Sequence, residues 1–180
     1  LNFNTMRKVV TTTKFYKFSE LSETAKEAAL EDLGLINVDT DSCWVALYED
    51  AERFKITIEI LNLDRNYCKV YIDSPNDTVF KVLNSDYVDA KDQLYLISKT
   101  FRKDWDALVH KYSDGVFTDQ VTQSNEGEFD EAADTLELAF EQAVSKYYLQ
   151  CLHDQYSYLT SREAVIETIE ANKYEFSADG

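Results

Sequence analysis

Two histidines and three cysteines are the residues of this chain best suited to bind a metal ion or to act as nucleophiles. The stretch "CLH" puts the Cys151 thiol two positions before His153, and His110 stands apart. Neither histidine has a second ligand at the spacing of known zinc sites. We therefore interpret both imidazoles as structural or surface groups and expect no metal. Cys43 and Cys68 are far from Cys151 and from each other, and three is an odd number, which indicates reduced thiols rather than disulfides.

Two segments are rich in oxygen ligands, "DTDSCW" at 39–44 and "SNEGEFDE" at 124–131. Neither follows the order of an EF-hand loop, which needs a glycine at its sixth position and a bidentate glutamate at its twelfth. A weak site for a divalent cation stays open on these residues, and with it an enzyme that uses such a site. We expect no cofactor.

Motifs that indicate catalysis or nucleotide binding are absent from the sequence. It contains no GxGxxG, no P-loop and no GxSxG, and four glycines are few for a loop that holds phosphate. Carboxylate pairs could be drawn anywhere among 34 acidic residues, so no pair stands out as an acid and base. We assign no catalytic residues and expect a protein that is not an enzyme.

The first half of the chain predicts strands and helices in alternation. Val9 to Tyr16 is rich in β-branched and aromatic residues and predicts a strand. A helix follows in "SELSETAKEAALEDLG", with Ser19 or Ser22 as its N-cap and Gly34 as its C-cap. A second helix is expected in "SCWVALYEDAERF". "KITIEILNL" and "NYCKVYIDSP" then predict a hairpin that turns at "LDRN" and ends at Pro75.

The second half predicts two long helices and a short last one. One long helix lies between Val88 and Tyr112, and the other begins near Phe129, after the polar segment "SDGVFTDQVTQSNEGEF". The apolar residues expected on their buried faces are Leu94, Ile97, Phe101, Trp105, Leu108 and Tyr112, and then Phe129, Ala133, Leu136, Phe140, Val144, Tyr147 and Cys151. Thr160 and Glu163 have the spacing of a capping box for the last helix.

Together these elements predict an α+β fold, a small and mostly antiparallel sheet packed with about five helices. A chain of 180 residues suits one domain, residues 1–180. Residues 1–5 are expected to be foreign to the natural chain, because the stretch from Met6 onward has the character of a natural start.

The net charge restricts the partners. Acidic residues number 34 against 18 basic ones, a formal net charge of −16, and the surface must therefore repel nucleic acid and anionic lipid and attract basic proteins. No apolar run approaches the roughly 18 residues that span a bilayer, and no basic and apolar leader is present. We expect a soluble, cytoplasmic protein with no direct nucleic-acid contact and no membrane contact.

The acidic excess is concentrated toward the end of the chain. Residues 124–180 contain 13 acidic and 3 basic residues, whereas residues 1–123 contain 21 and 15. Three sets of carboxylates recur at steps of three and four, so each set lies along one side of a helix. We name them the first-helix ridge (Glu20, Glu23, Glu27, Glu31), the long-helix ridge (Asp130, Asp134, Glu137, Glu141) and the last-helix ridge (Glu163, Glu167, Glu170).

The ridges have two interpretations. They are typical of solvated helix faces, and acids near a helix N-terminus are favoured by the helix dipole. Alternatively, lines of carboxylates about 5 to 6 Å apart imitate a row of phosphates and would bind a basic groove built for nucleic acid. The second interpretation makes all three ridges candidate partner-binding residues.

Three stretches carry a resemblance to known proteins: "FSELSETAKEAALEDL", "CWVALYEDAERFKITIEILNLDR" and "YSYLTSREAVIETIEANKYEFSADG". Over roughly a third of the chain they resemble a family of small acidic proteins of phages, prophages and other mobile elements, often described as uncharacterised or antitoxin-like. In size and charge the chain is also similar to anti-CRISPR proteins that act on type II systems. The resemblance implies a binding protein encoded by mobile DNA and acting in a bacterial host cell. Residues 75–125 take no part in it.

We therefore expect an inhibitor of a host nuclease that targets nucleic acid, an RNA-guided CRISPR nuclease, acting by stoichiometric binding as a DNA mimic. The alternative is an antitoxin that neutralises a basic toxin encoded by a neighbouring gene. A homodimer is also open, because "KYYLQCLHDQYSYL" has more large apolar residues than one helix face can bury.

Overall fold

The computed structural model describes residues 14–38, 44–113 and 126–180. These residues form six α-helices and four short strands, and the strands pair into two separate antiparallel sheets of two. The predicted α+β class and the two long helices are confirmed. In chain order the elements are β1 (Tyr16–Lys17), α1 (Glu23–Asp32), α2 (Val45–Arg53), β2 (Thr57–Asn62), β3 (Tyr67–Tyr71), α3 (Pro75–Leu83), α4 (Gln93–Tyr112), α5 (Glu126–Leu159), α6 (Arg162–Ala171) and β4 (Glu175–Phe176).

The chain divides into two compact units. The terminal unit comprises Leu1–Asp39 and Tyr156–Gly180, and the central unit comprises Thr40–Gln155. The expectation of a single domain implies that the two units unfold together, and this stays a prediction.

The terminal unit is built on the packing of α1 with α6 and on the pairing of β1 with β4. Tyr16 pairs with Phe176 in an antiparallel ladder. The Phe18 ring meets the Phe176 ring edge to face at 6.0 Å between centroids, an arrangement that aromatic pairs favour. The buried core consists of Phe18, Leu21, Ala25, Ala29, Val165, Ile169 and Phe176. Of the strand predicted from Val9 to Tyr16, only its end is described; the residues before 14 lie outside the described ranges.

The start of α1 agrees with the sequence and its end does not. Ser22 is the N-cap, and its hydroxyl accepts a hydrogen bond of 3.3 Å from the Ala25 backbone N–H. The helix ends at Asp32 and its C-cap is Leu33, one residue before the predicted Gly34.

The predicted capping box of α6 is wrong. Ser161 is the N-cap and accepts from the Ala164 backbone N–H at 3.3 Å. The Thr160 hydroxyl instead donates to the Tyr156 carbonyl at 2.9 Å, which occupies it at the end of α5. Thr160 and Ser161 are successive hydroxyl residues, and the sequence could not show which of them caps α6. In the structure the turn between α5 and α6 places Ser161 at the N-cap.

The central unit contains the predicted hairpin. β2 pairs with β3 across residues 63–66, with a register irregularity between Ile58 and Ile60 and a left-handed backbone at Asn66, where φ is 49°. The second strand ends at Tyr71, before Pro75, which is the first residue of a helix that the sequence did not indicate, α3. Proline suits that position because its fixed φ is helical and the first helical N–H has no partner within the helix.

The helices α4 and α5 of the central unit run antiparallel. The Phe101 ring lies 4.6 Å from the Phe140 ring, and further along both helices Tyr112 lies 5.9 Å from Phe129. α4 begins at Gln93, after its N-cap Asp92, not at the predicted Val88. The buried core consists of Ala51, Phe54, Ile56, Ile58, Cys68, Val70, Ile72, Val79, Val82, Leu94, Phe101, Phe140, Val144 and Tyr148.

The buried face of α5 turns away from the predicted one along the helix. Phe140 and Val144 are buried as expected, but beyond them Tyr148 and Leu152 are buried, whereas Tyr147 and Cys151 are half-buried. The predicted face combines steps of four and three and repeats every 11 residues, which keeps it almost fixed on a helix of 3.6 residues per turn. From Phe140 to Leu152 the observed face advances by steps of four, each about 40° more than a full turn, so the buried side winds around α5.

Candidate functional site

The last-helix ridge faces solvent. Glu163, Glu167 and Glu170 are all exposed, and Val165 and Ile169 are buried on the opposite side of α6. At a rise of about 1.5 Å per residue, successive carboxylates lie about 5 to 6 Å apart along the helix. Within the described ranges none of the three forms an ion pair. This side of α6 therefore presents a line of negative charge that no described residue pairs.

The first-helix ridge is largely occupied by local contacts. A Glu20 carboxylate oxygen accepts from the Lys17 backbone N–H at 2.8 Å, before α1 begins. Glu23 pairs with Lys26 at 2.7 Å, which lowers the pKa of Glu23. An exposed ion pair of this kind contributes little to stability. Both contacts nevertheless occupy carboxylates that the ridge interpretation would leave available to a partner protein.

The contact between α1 and α6 uses one more carboxylate of the first-helix ridge. The guanidinium of Arg162 contacts Glu27 at 2.8 Å, and both side chains are about half exposed. Glu31 follows one turn later, exposed and without an ion pair among the described residues. The structure thus brings the first-helix and last-helix ridges into one unit, where Glu31 and the last-helix ridge form no ion pair with a described residue.

The long-helix ridge lies in the central unit and changes character along α5. Asp130 and Asp134 are exposed, whereas Glu137 and Glu141 are half-buried. Partial burial, and then repulsion from Asp134 and Glu141, raises the pKa of Glu137. The second half of this ridge therefore enters the protein instead of lining its surface.

Glu141 supports the fold of the hairpin. Its carboxylate accepts a hydrogen bond of 2.9 Å from the backbone N–H of Ile72, and the Ser145 hydroxyl accepts one of 3.2 Å from the N–H of Val70. Alternate residues of a strand lie about 6.6 Å apart, and residues four apart on a helix about 6 Å, so α5 can satisfy alternate N–H groups along the edge of β3. α5 thereby covers an edge that another strand could otherwise pair with.

Tyr148 and Asp50 form a second pair that the sequence did not single out. The fully buried Tyr148 hydroxyl donates to an Asp50 carboxylate oxygen at 3.1 Å, and burial raises the pKa of Tyr148. No local pattern could have shown this contact, because 98 residues separate the partners. A buried tyrosine hydroxyl commonly finds such an acceptor, so we assign the pair a structural role.

The candidate metal ligands and thiols are placed as follows. The ring Nε2 of His153 lies 2.7 Å from the Asn66 side-chain oxygen, and His110 is exposed. Cys68 is a free thiol whose pKa burial raises to about 11, and burial also raises the pKa of the free thiol of Cys151. Across the described parts of the chain, no three His, Cys, Asp or Glu residues are grouped to hold a metal ion. Cys43, most of "DTDSCW" and the start of "SNEGEFDE" lie outside the described ranges.

Helices able to cross a bilayer are not found within the described ranges, since none combines the necessary length with sufficient apolar character. No protein-family model matches the sequence, and no curated protein or solved structure matches the chain.

Proposed function

We propose that the protein binds a basic groove of a nucleic-acid-targeting nuclease of the RNA-guided CRISPR type and inhibits it stoichiometrically, with exposed carboxylates in place of phosphates. The observation that carries the proposal is the last-helix ridge, Glu163, Glu167 and Glu170. All three are exposed, and none forms an ion pair with a described residue. Carboxylates of one sign at these spacings repel each other by roughly 0.2 to 0.5 kcal/mol per pair, so the arrangement costs stability in the free protein.

A basic partner would remove that repulsion. Arg and Lys bind carboxylates with charge-assisted hydrogen bonds, as they bind phosphates. In RNA-guided nucleases the guide heteroduplex lies in a positively charged channel that is recognised through the backbone rather than the sequence. With a net charge of −16, the protein would be attracted to such a channel over a distance set by ionic strength.

The test is a competition assay with a purified RNA-guided nuclease, with and without its guide RNA. We expect complex formation at about 50 mM NaCl, weaker binding at about 300 mM, and loss of target DNA binding in proportion to the protein added. No complex with the nuclease at low salt would contradict the proposal for that target. Capture of a small basic toxin in its place would favour the antitoxin alternative.

A matched pair of variants separates the ridge from the net charge. The triple variant Glu163→Gln, Glu167→Gln, Glu170→Gln removes the last-helix ridge. Its control, Glu49→Gln, Glu52→Gln, Asp64→Asn, removes three exposed acids from the central unit and changes the net charge equally. We expect the ridge variant to bind about tenfold more weakly than the control. Equal losses would mean that only the overall charge matters.

A further inference from the structure

The outer side of the α4 and α5 pair in the central unit forms an apolar groove. Leu96 and Ile97 of α4 line it opposite Leu136, Ala139, Ala143 and Tyr147 of α5. Two cavities of about 250 and 480 Å³ make up this groove, and they adjoin at Gln93, Ile97 and Ala143, which line both. The residues that line it run along α5 from Leu136 to Asp154, about 27 Å at the helical rise.

Small side chains keep the groove open. Ala139 and Ala143 are one turn apart on α5, and Thr100 lies across from them on α4. Beneath them Phe101 and Phe140 pack ring to ring and close the floor. A helix laid between α4 and α5 could approach closely over the two alanines, and about 18 residues of it would span the groove.

The charges at the groove indicate the chemistry of its occupant. Asp92, Asp104 and Asp154 line it, and Lys146 is the one basic residue among its lining. A helix with apolar anchors at steps of three and four would bury them on the floor, and Lys or Arg on its flanks would meet the aspartates. A second copy of this chain fits poorly, because it would bring a net charge of −16 and the same acids to the contact.

We propose that the groove between α4 and α5 is the docking site for a basic amphipathic helix of the partner protein. The inference rests on the proposed function in taking that partner to be a basic protein. It adds an apolar contact, which holds when salt has screened the acidic ridges. The protein then has two kinds of contact: exposed carboxylates that attract the partner and an apolar groove that retains one of its helices.

The probe is a synthetic peptide of about 18 residues with leucines at steps of three and four and lysines elsewhere, measured by fluorescence anisotropy with the full chain. Two control peptides separate the effect of charge from that of the apolar helix face. One replaces every lysine by glutamate, and the other keeps the composition but scrambles the order of the residues, so that the leucines no longer share one face. We expect binding of the lysine peptide alone. Equal affinity for the scrambled peptide would mean attraction to charge without docking and would overturn the inference, as would no binding at about 1 mM peptide.

Matched substitutions locate the peptide. Ala139→Lys places bulk and positive charge in the groove, and Leu138→Lys makes the same change of charge at an exposed neighbour outside its lining. We expect the first to weaken peptide binding about tenfold and the second to change it by less than about threefold. Asp104→Asn should weaken binding more than Asp106→Asn, since Asp106 lies outside the lining and contacts Arg102. Equal effects within either pair would overturn the inference.

The same variants keep the two proposals distinguishable. If Ala139→Lys loses the peptide but the protein binds no nuclease, the groove stands and the proposed target fails. If the nuclease is bound as tightly by Ala139→Lys as by the unaltered chain, the proposed function stands and the groove is not its contact. Circular dichroism of each variant checks that the helices are intact.

Discussion

The carboxylate of Glu141 on α5 accepts a hydrogen bond from the backbone N–H of Ile72, the first residue after β3, at a distance of 2.9 Å. Ile72 is almost fully buried, so its N–H has no ready access to water. A buried donor left without a partner is costly, and this contact therefore stabilises the hairpin.

Removal of this acceptor should destabilise the central unit. We expect Glu141→Ala to lower the free energy of unfolding by about 1 to 3 kcal/mol, because the Ile72 N–H would stay buried and unpaired. Glu141→Gln keeps an acceptor oxygen and should cost much less. Urea denaturation of both variants checks the difference. Equal losses of stability in the two variants would show that the fold is stabilised by the charge of Glu141 and not by its hydrogen bond.

Neutralising Glu137 should have the opposite effect. Burial and the nearby Asp134 and Glu141 raise the pKa of Glu137 above its ordinary value of 4.5. We expect Glu137→Gln to raise the free energy of unfolding at neutral pH by about 0.5 kcal/mol, since a neutral side chain is less costly to bury and is not repelled by Asp134 and Glu141. In an Asp134→Asn background the gain should shrink, because one of the repelling charges is already absent. An undiminished gain there would assign the effect to burial alone.

The pH dependence of this gain follows from the direction of the pKa change. A raised pKa means that the folded chain binds more protons at Glu137 than the unfolded chain, so this residue's contribution to stability falls as pH rises through the folded value. The advantage of Glu137→Gln should therefore be small near pH 4.5 and grow toward neutral pH. Urea denaturation of both proteins at the two pH values measures it; an advantage that decreases with pH would contradict the assignment.

The N-cap of α6 predicts a loss at Ser161 and not at its neighbour. Ser161→Ala should lower the free energy of unfolding by about 1 kcal/mol, because the Ala164 N–H loses its acceptor. Thr160→Val retains the shape of the side chain and removes only its hydrogen bond to the Tyr156 carbonyl, which is not needed to cap α6. We therefore expect a smaller loss of stability. Thermal unfolding of the two variants compares them. A larger loss at Thr160 would restore the cap that the sequence favoured.

The two carboxylates at the end of the first-helix ridge should differ in partner binding. Glu27 pairs with Arg162, whereas Glu31 has no ion pair among the described residues. We expect Glu31→Gln to weaken binding to a basic partner more than Glu27→Gln, because the Glu27 carboxylate is already paired with Arg162 and has less to offer a second cation. Binding to the nuclease at low salt, with both variants at the same net charge, gives the comparison. A larger effect of Glu27→Gln would place Arg162 inside the contact.

Local patterns were sufficient where the decisive interaction is between near neighbours. The hairpin followed from alternation in its two strands and a turn between them, and the long helices followed from apolar residues at steps of three and four. The Ser22 cap was one of two serines that the sequence offered. The predicted N-cap of α6 and the predicted start of α4 were wrong. Several successive polar residues can each cap a helix, and tertiary packing decides which of them does.

The sequence by itself determined the fold class, the acidic surface and the alignment of carboxylates along each helix, because helix period and charge are properties of short stretches. Only the tertiary structure decided how each carboxylate is used. Glu141 bonds to a residue 69 positions away, Glu27 to Arg162, and Glu163, Glu167 and Glu170 stay exposed. The groove over Ala139 and Ala143 likewise exists only because α4 packs beside α5. These contacts join residues distant in sequence, and their energies depend on burial that no local pattern contains.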